Sequence, residues 1–219
     1  MRPGTRVSTQ GARRVTDWWV VVPVKGTADA KSRFGGSPGA HASLARAIAL
    51  DTVEAALATP GVLGVLVVTS SEASADFAGI GATVVVEAGP PGLTSAIAQG
   101  IERATARSAM GEGVAILLGD LPALSAEELG QALGLAAAHP RAMVADADGT
   151  GTTLITALSP ATHAPAFGIG SAAAHAAAGY VVLPVSAASG LRRDVDTLEE
   201  LRELAGRLGV RTAAAFRGL

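Results

Sequence analysis

The chain has 219 residues, 49% of them hydrophobic and 16% charged, with a formal net charge of −2 and a pI near 6.1. That length suits one α/β domain with a full core, and the absence of cysteine excludes disulfides, thiolate metal sites and a cysteine nucleophile. Only 3% of residues are aromatic and no apolar run escapes interruption by Pro23, Gly119, His175 or Pro184, so the expectation is a cytoplasmic protein with neither nucleic-acid nor membrane partner.

Residues 1–17 carry Arg2, Arg6, Arg13 and Arg14 without apolar periodicity and read as a disordered N-terminal tail ahead of a single domain over 18–219. Trp18 to Val24 is aromatic and β-branched, as a first strand would be, and its tryptophans read as packing groups. The segment from Lys25 to Gly39 then breaks every periodicity and gathers Lys25, Lys31 and Arg33. Such a loop can wrap a triphosphate, two lysines acting as point charges and Arg33 as a planar fork, although the P-loop spacing is missing. A solvated surface loop is the plainer reading, and its position after the first strand favours function.

His41 to Thr59 has Leu44, Ile48, Val53 and Leu57 spaced for one buried helical face, ended by Pro60-Gly61. Val62–Thr69 reads as the second strand, Ser70–Ala78 as a short helix and Ala82–Glu87 as the third strand. The turn at 88–92 leads into Leu93-Thr94-Ser95, which opens a helix to about Arg107. Thr94 or Ser95 serves as its N-cap, and the hydroxyls and free amides there also suit a nucleotide phosphate.

The centre of the pattern is the apolar run from Gly113, which ends on Gly119-Asp120 and turns at Pro122. A strand buried on both faces places Asp120 beyond its carboxyl end, where ligands sit in open α/β sheets. Gly119 allows close backbone approach, and the Asp120 carboxylate suits a divalent metal carrying phosphates. A mere helix cap is the alternative, weakened because Ser125 with Glu128 already forms a capping box. After a helix over 125–138 and a strand over 141–146, the turn Gly149 to Gly151 offers amides and the hydroxyls of Thr150 and Thr152 to a small anion. A simple hairpin turn competes equally. Gly168 and Ser171 open an Ala-rich helix, a second anion-binding start, while His175 within it reads as incidental. Tyr180–Val185 is the last strand. Asp194 and Asp196 then precede a helix over 198–208, with Asp194 the stronger metal candidate, because Asp196-Thr197 also works as a helix start. The tail 210–219 reads as loosely packed.

Strands and helices alternate throughout, which argues a three-layer α/β/α sandwich with a mostly parallel mixed sheet. No GxGxxG, GxSxG or HExxH occurs, so a cationic loop, two carboxylates and two small-residue anion sites point to metal-assisted nucleotidyl transfer.

In these same places the sequence resembles a known family. PVK followed by AKSR, LLGDLPAL, GTGTT, FGxGS and LRRDVDTLEEL are similar to the guanylyltransferases of coenzyme F-420 biosynthesis, across about Val20 to Leu204. The resemblance implies the nucleotide-diphospho-sugar transferase fold. It implies joining of GMP from GTP to phosphoenolpyruvate, or to 2-phospho-L-lactate. By the same resemblance Thr152, Gly168 and Ser171 contact the three-carbon acceptor and Asp120 and Asp194 hold Mg²⁺; from the residues themselves Asp196 is the backup ligand, and Thr94, Ser95 and Gly119 are expected on the nucleotide side. Lys25, Lys31 and Arg33 would supply positive charge to the transfer. The family usually has RLA where Arg33-Phe-Gly stands here, and Asn where Thr94 stands. Other readings are a molybdenum-cofactor or sugar-phosphate nucleotidyltransferase, or a non-catalytic nucleotide-binding domain. Homo-oligomerisation and hand-over of product to the next pathway enzyme are compatible with the sequence.

Overall fold

In the computed structural model of the chain, residues 16–24 and 38–218 are described. Seven strands join one sheet in the order β3-β2-β1-β4-β6-β5-β7. They are β1 Trp18–Pro23, β2 Val62–Thr69, β3 Thr83–Val86, β4 Gly113–Leu117, β5 Arg141–Ala145, β6 Thr152–Ala157 and β7 Val181–Val182. The first four run parallel, and β6 lies antiparallel between β4 and β5. The chain steps outward from β1 through β2 to β3, then returns to lay β4 on the other side of β1. The order therefore reverses between β1 and β4, and in open α/β sheets ligands sit beyond the carboxyl ends of the strands at such a switch point.

Among the described residues seven α-helices complete the layers: α1 Pro38–Leu57, α2 Ser74–Gly79, α3 Leu93–Thr105, α4 Ala126–Ala136, α5 Ser171–Ala177, α6 Leu198–Glu203 and α7 Val210–Arg217. Strand side chains alternate between faces. Val20 and Val22 meet Leu50 and Val53 of α1, Phe77 of α2 and Leu129 and Leu133 of α4. Val21, Leu66 and Val68 meet Ile97 of α3 and Ala172 of α5 on the opposite face. This is the expected three-layer arrangement. Trp18 is buried as anticipated, and Trp19 donates its indole N–H to Glu112 at 3.0 Å.

Several boundaries differ for identifiable reasons. The last strand shrinks to Val181–Val182 because Pro184 cannot donate to a ladder, leaving one further bond from Leu183 N–H to the Met143 carbonyl (2.8 Å). Neither Thr94 nor Ser95 caps α3: Gly92 occupies the N-cap, and Ser95 Oγ instead accepts from Gln99. Nor is the C-terminal stretch loose. Asp51 of α1 accepts the N–H groups of Arg211 and Thr212 (3.2 and 2.7 Å), which satisfies two of the orphan donors of α7, and Arg211 pairs with Glu54. The capping box of Ser125 and Glu128 is present as read.

Candidate active site

Two residues separate the end of β4 from Asp120. Leu118 N–H still pairs with the Thr153 carbonyl at 2.9 Å, and Gly119 follows. A Cβ on Gly119 would stand 3.3 Å from methyl groups of Val22 and Val24, so glycine lets the exits of β4 and β1 lie close together. Asp120 emerges half-buried at the switch point between them.

Asp194 arrives from the far end of the chain on a segment fastened at several points. Gly190 packs so tightly on the Ala123 carbonyl that a Cβ would approach it to 2.0 Å. Leu191 is buried, and its carbonyl accepts from Thr153 Oγ1 at 2.6 Å. The Arg192 guanidinium donates to the carbonyls of Ala145 (3.0 Å), Asp146 (2.6 Å) and Val185 (3.2 Å). Val195 is buried among Leu44, Ile48 and Leu201, and its N–H reaches the Asp120 carbonyl. Asp194 is held between these anchors. Burial, then the charges of Asp120, Asp146 and Asp196, push its pKa up to about 7. Two neighbouring hard carboxylates, with Asp194 disfavoured as an anion, fit a divalent cation. Among the described residues no three His, Asp or Glu side chains are gathered where they could hold a metal ion.

Asp196 is exposed, and its N–H joins that of Thr197 in bonding Glu200 at the start of α6. Thr197 is the N-cap of α6 and forms a capping box with Glu200, so the helix start read at Asp196-Thr197 is present with Thr197 as its cap. Thr94 is exposed and Ser95 half-buried at the entry to α3, which follows β3 at the same sheet edge. Lys25, Lys31 and Arg33 lie outside the described residues.

Thr152 opens β6, opposite Ala145 of β5, and so sits at the edge where Asp120 emerges. Its Oγ1 lies 3.3 Å from Ser171 Oγ at the start of α5. Gly168 is exposed, and its carbonyl accepts from Ser171 N–H at 3.0 Å. The N-cap of α5 is Gly170, at φ 73°, which only glycine adopts at low cost. The turn amides are not available to an anion. Thr150 and Gly151 N–H donate to the Asp146 carboxylate at 3.0 and 2.7 Å, closing the hairpin from β5 to β6.

His175 is not incidental. It is fully buried, its Nδ1 is 3.0 Å from Thr152 Oγ1, and its Nε2 accepts from Ala166 N–H at 2.8 Å. A signal existed, since Ser171 and His175 are four apart on one helical face. The anchoring role of Arg192 is a further one that the sequence reading does not contain, although a double arginine directly precedes Asp194.

The model of the MobA-like NTP transferase domain matches residues 27–213. A phosphoenolpyruvate guanylyltransferase of Geodermatophilus obscurus is 47% identical, over 93% of this chain and 96% of that one. The chain belongs to the phosphoenolpyruvate guanylyltransferase family. Another member, from Sanguibacter keddieii, is also 47% identical, over 86% of this chain and 80% of its own length. The fold is shared more widely. A candidate nucleotide-diphospho-sugar transferase of Desulfovibrio desulfuricans G20 superposes with a TM-score of 0.70 at 18% identity, over 93% of this chain and 95% of that one. Family membership agrees with the resemblance read from the motif blocks, and the fold neighbour agrees with the expected architecture.

Proposed function

We propose that this protein joins GMP from GTP to phosphoenolpyruvate with release of pyrophosphate. The reading rests on one observation. In a chain 47% identical to named phosphoenolpyruvate guanylyltransferases, Asp120 and Asp194 stand together at the sheet's switch point, with Asp194 disfavoured as an anion. A Mg²⁺ ion held by these two carboxylates, with Asp196 at the rim, would draw charge from the phosphates and leave the rest of its shell to their oxygens.

A phosphomonoester has its second pKa near 6, so the acceptor phosphate is already a largely dianionic nucleophile at neutral pH. No general base is needed. One of its oxygens forms a bond to the α-phosphorus of GTP as the bond to the bridging oxygen of the β-phosphate breaks, and pyrophosphate carries away that electron pair. The protein's work is to bring anions together in line. Lys25, Lys31 and Arg33 follow β1 in sequence and supply positive charge to the triphosphate. Thr94, Ser95 and Gly119 face the nucleotide, and Thr152, Gly168 and Ser171 hold the acceptor. Residues 18–219 act as one nucleotidyltransferase domain. Both substrates are water-soluble, which suits a cytoplasmic enzyme, and the product would enter coenzyme F-420 assembly, as the family resemblance implies.

GTP labelled separately at the α- and γ-phosphates tests the bond that breaks. With phosphoenolpyruvate present, α label should enter a guanylylated product and γ label should leave as pyrophosphate. Release of the γ label as inorganic phosphate would identify a GTPase instead.

A further inference from the structure

Thr152 and Ser171 are backed by a histidine whose proton is placed by the main chain. A neutral imidazole carries one N–H. Because Nε2 of His175 accepts from Ala166 N–H at 2.8 Å, the proton must reside on Nδ1. Burial lowers the His175 pKa, which keeps the ring in this singly protonated form. The Nδ1–H then donates to Thr152 Oγ1 at 3.0 Å. Phe167 and Tyr180 pack edge-on to the ring, with centroids 5.0 and 5.3 Å away, and hold it in place.

The direction of that bond decides what the hydroxyl pair can offer. Among the described residues, the two hydroxyls bond only each other and His175. They own two hydrogens between them. With Thr152 accepting from His175, one hydrogen closes the 3.3 Å contact between the hydroxyls and the other is left for a group outside. With the opposite tautomer, Ser171 would donate to Thr152 and Thr152 to Nδ1. Both hydrogens would then be used, and the pair could only accept.

We propose that His175 is a positioning residue that sets the polarity of the Thr152–Ser171 pair, so that the pair donates a hydrogen bond to an anionic oxygen of the acceptor. This rests on the reading of Thr152 and Ser171 as acceptor-binding residues. Ala166, through its N–H alone, is the ultimate source of that polarity.

Two measurements on the full chain test it. Nitrogen NMR of histidine-labelled protein should show His175 protonated at Nδ1, and protonation at Nε2 overturns the proposal. In kinetics, His175→Leu should raise KM for phosphoenolpyruvate about tenfold while kcat and KM for GTP stay within about twofold. His175→Asn, whose amide can still donate to Thr152, should recover most of that loss. Equal changes in both KM values and kcat, or no recovery by asparagine, would mean that the ring only fills space. Thr152→Val separates the two levels of the argument. If it leaves KM for phosphoenolpyruvate unchanged, the acceptor site is misplaced and the proposal falls with it. If it raises KM while His175→Leu behaves as wild type, the site stands and the role of His175 does not. Should the leucine variant fail to fold, the asparagine variant and the wild-type tautomer decide the matter.

Discussion

Val195 N–H donates to the carbonyl oxygen of Asp120 at 3.2 Å. This one bond joins the exit of the central strand to a segment 75 residues further along the chain, and it sets Asp194 beside Asp120. The carboxylate pair is therefore built by main-chain pairing and by burial of Val195. Side-chain attraction cannot supply it, since the two charges repel.

Removing either charge should disable the enzyme without unfolding it. Asp120→Asn and Asp194→Asn should each lower kcat/KM by at least about a hundredfold, an effect of about 3 kcal/mol on the transition state. Circular dichroism should be unchanged. Full activity in either variant would remove that residue from the site.

The pH dependence of stability should carry the same signature. Unfolded, Asp194 titrates near the ordinary aspartate value of about 3.9, and folded it titrates at about 7. Between those values the native state binds more protons than the unfolded state, so metal-free stability falls as pH rises through this window and is level above it. Relative to wild type in chelator, Asp194→Asn should be more stable at pH 8 by on the order of 1–3 kcal/mol, allowing for partial solvent screening. The difference should vanish near pH 4. Mg²⁺ should raise the melting temperature of wild type at pH 8 and lose that effect as pH drops below about 7. A melting temperature indifferent to pH and Mg²⁺ would contradict the account of Asp194.

Arg192 should matter through geometry more than charge. Its planar fork reaches three carbonyls, of Ala145 at the end of β5, Asp146 just after it and Val185 in the stretch that follows β7, which a lysine cannot reproduce. Arg192→Lys should lower stability by about 1–2 kcal/mol. It should also weaken Mg²⁺-dependent turnover about tenfold through a displaced Asp194. Loss of stability with unchanged turnover would confine Arg192 to a structural role.

Asp51 provides a contrast remote from the chemistry. It is 8% exposed and accepts two N–H groups at the start of α7. Asp51→Ala should cost about 1–3 kcal/mol in denaturant unfolding and leave KM for both substrates near wild type. Large changes in KM would tie α7 to the site.

The contrast also shows what could be read from the chain. Apolar runs located the buried strands, and Ser125 with Glu128 marked the start of α4, because both signals are local. Asp120 was legible for the same reason: a buried strand that ends on Gly-Asp announces its own carboxyl edge. The antiparallel insertion of β6 between β4 and β5 was not legible, since periodicity reports burial and not pairing partners. The ordering of α7 depends on Asp51, 160 residues away from Arg211, and its own Ala-rich sequence has little apolar surface to announce packing. The spacing of Ser171 and His175 marks a shared helical face, but the partners of His175, Thr152 and Ala166, meet it only in the folded chain. The open amides expected after Gly149 were claimed by Asp146, a residue whose role as a turn closer depends on how the hairpin folds.

The most direct test is Mg²⁺-dependent pyrophosphate release from GTP, measured in parallel with phosphoenolpyruvate, with 2-phospho-L-lactate and without acceptor. The account predicts release that requires phosphoenolpyruvate and is abolished in Asp120→Asn. Release of equal rate without any acceptor, or none with phosphoenolpyruvate despite measurable GTP binding, would contradict it.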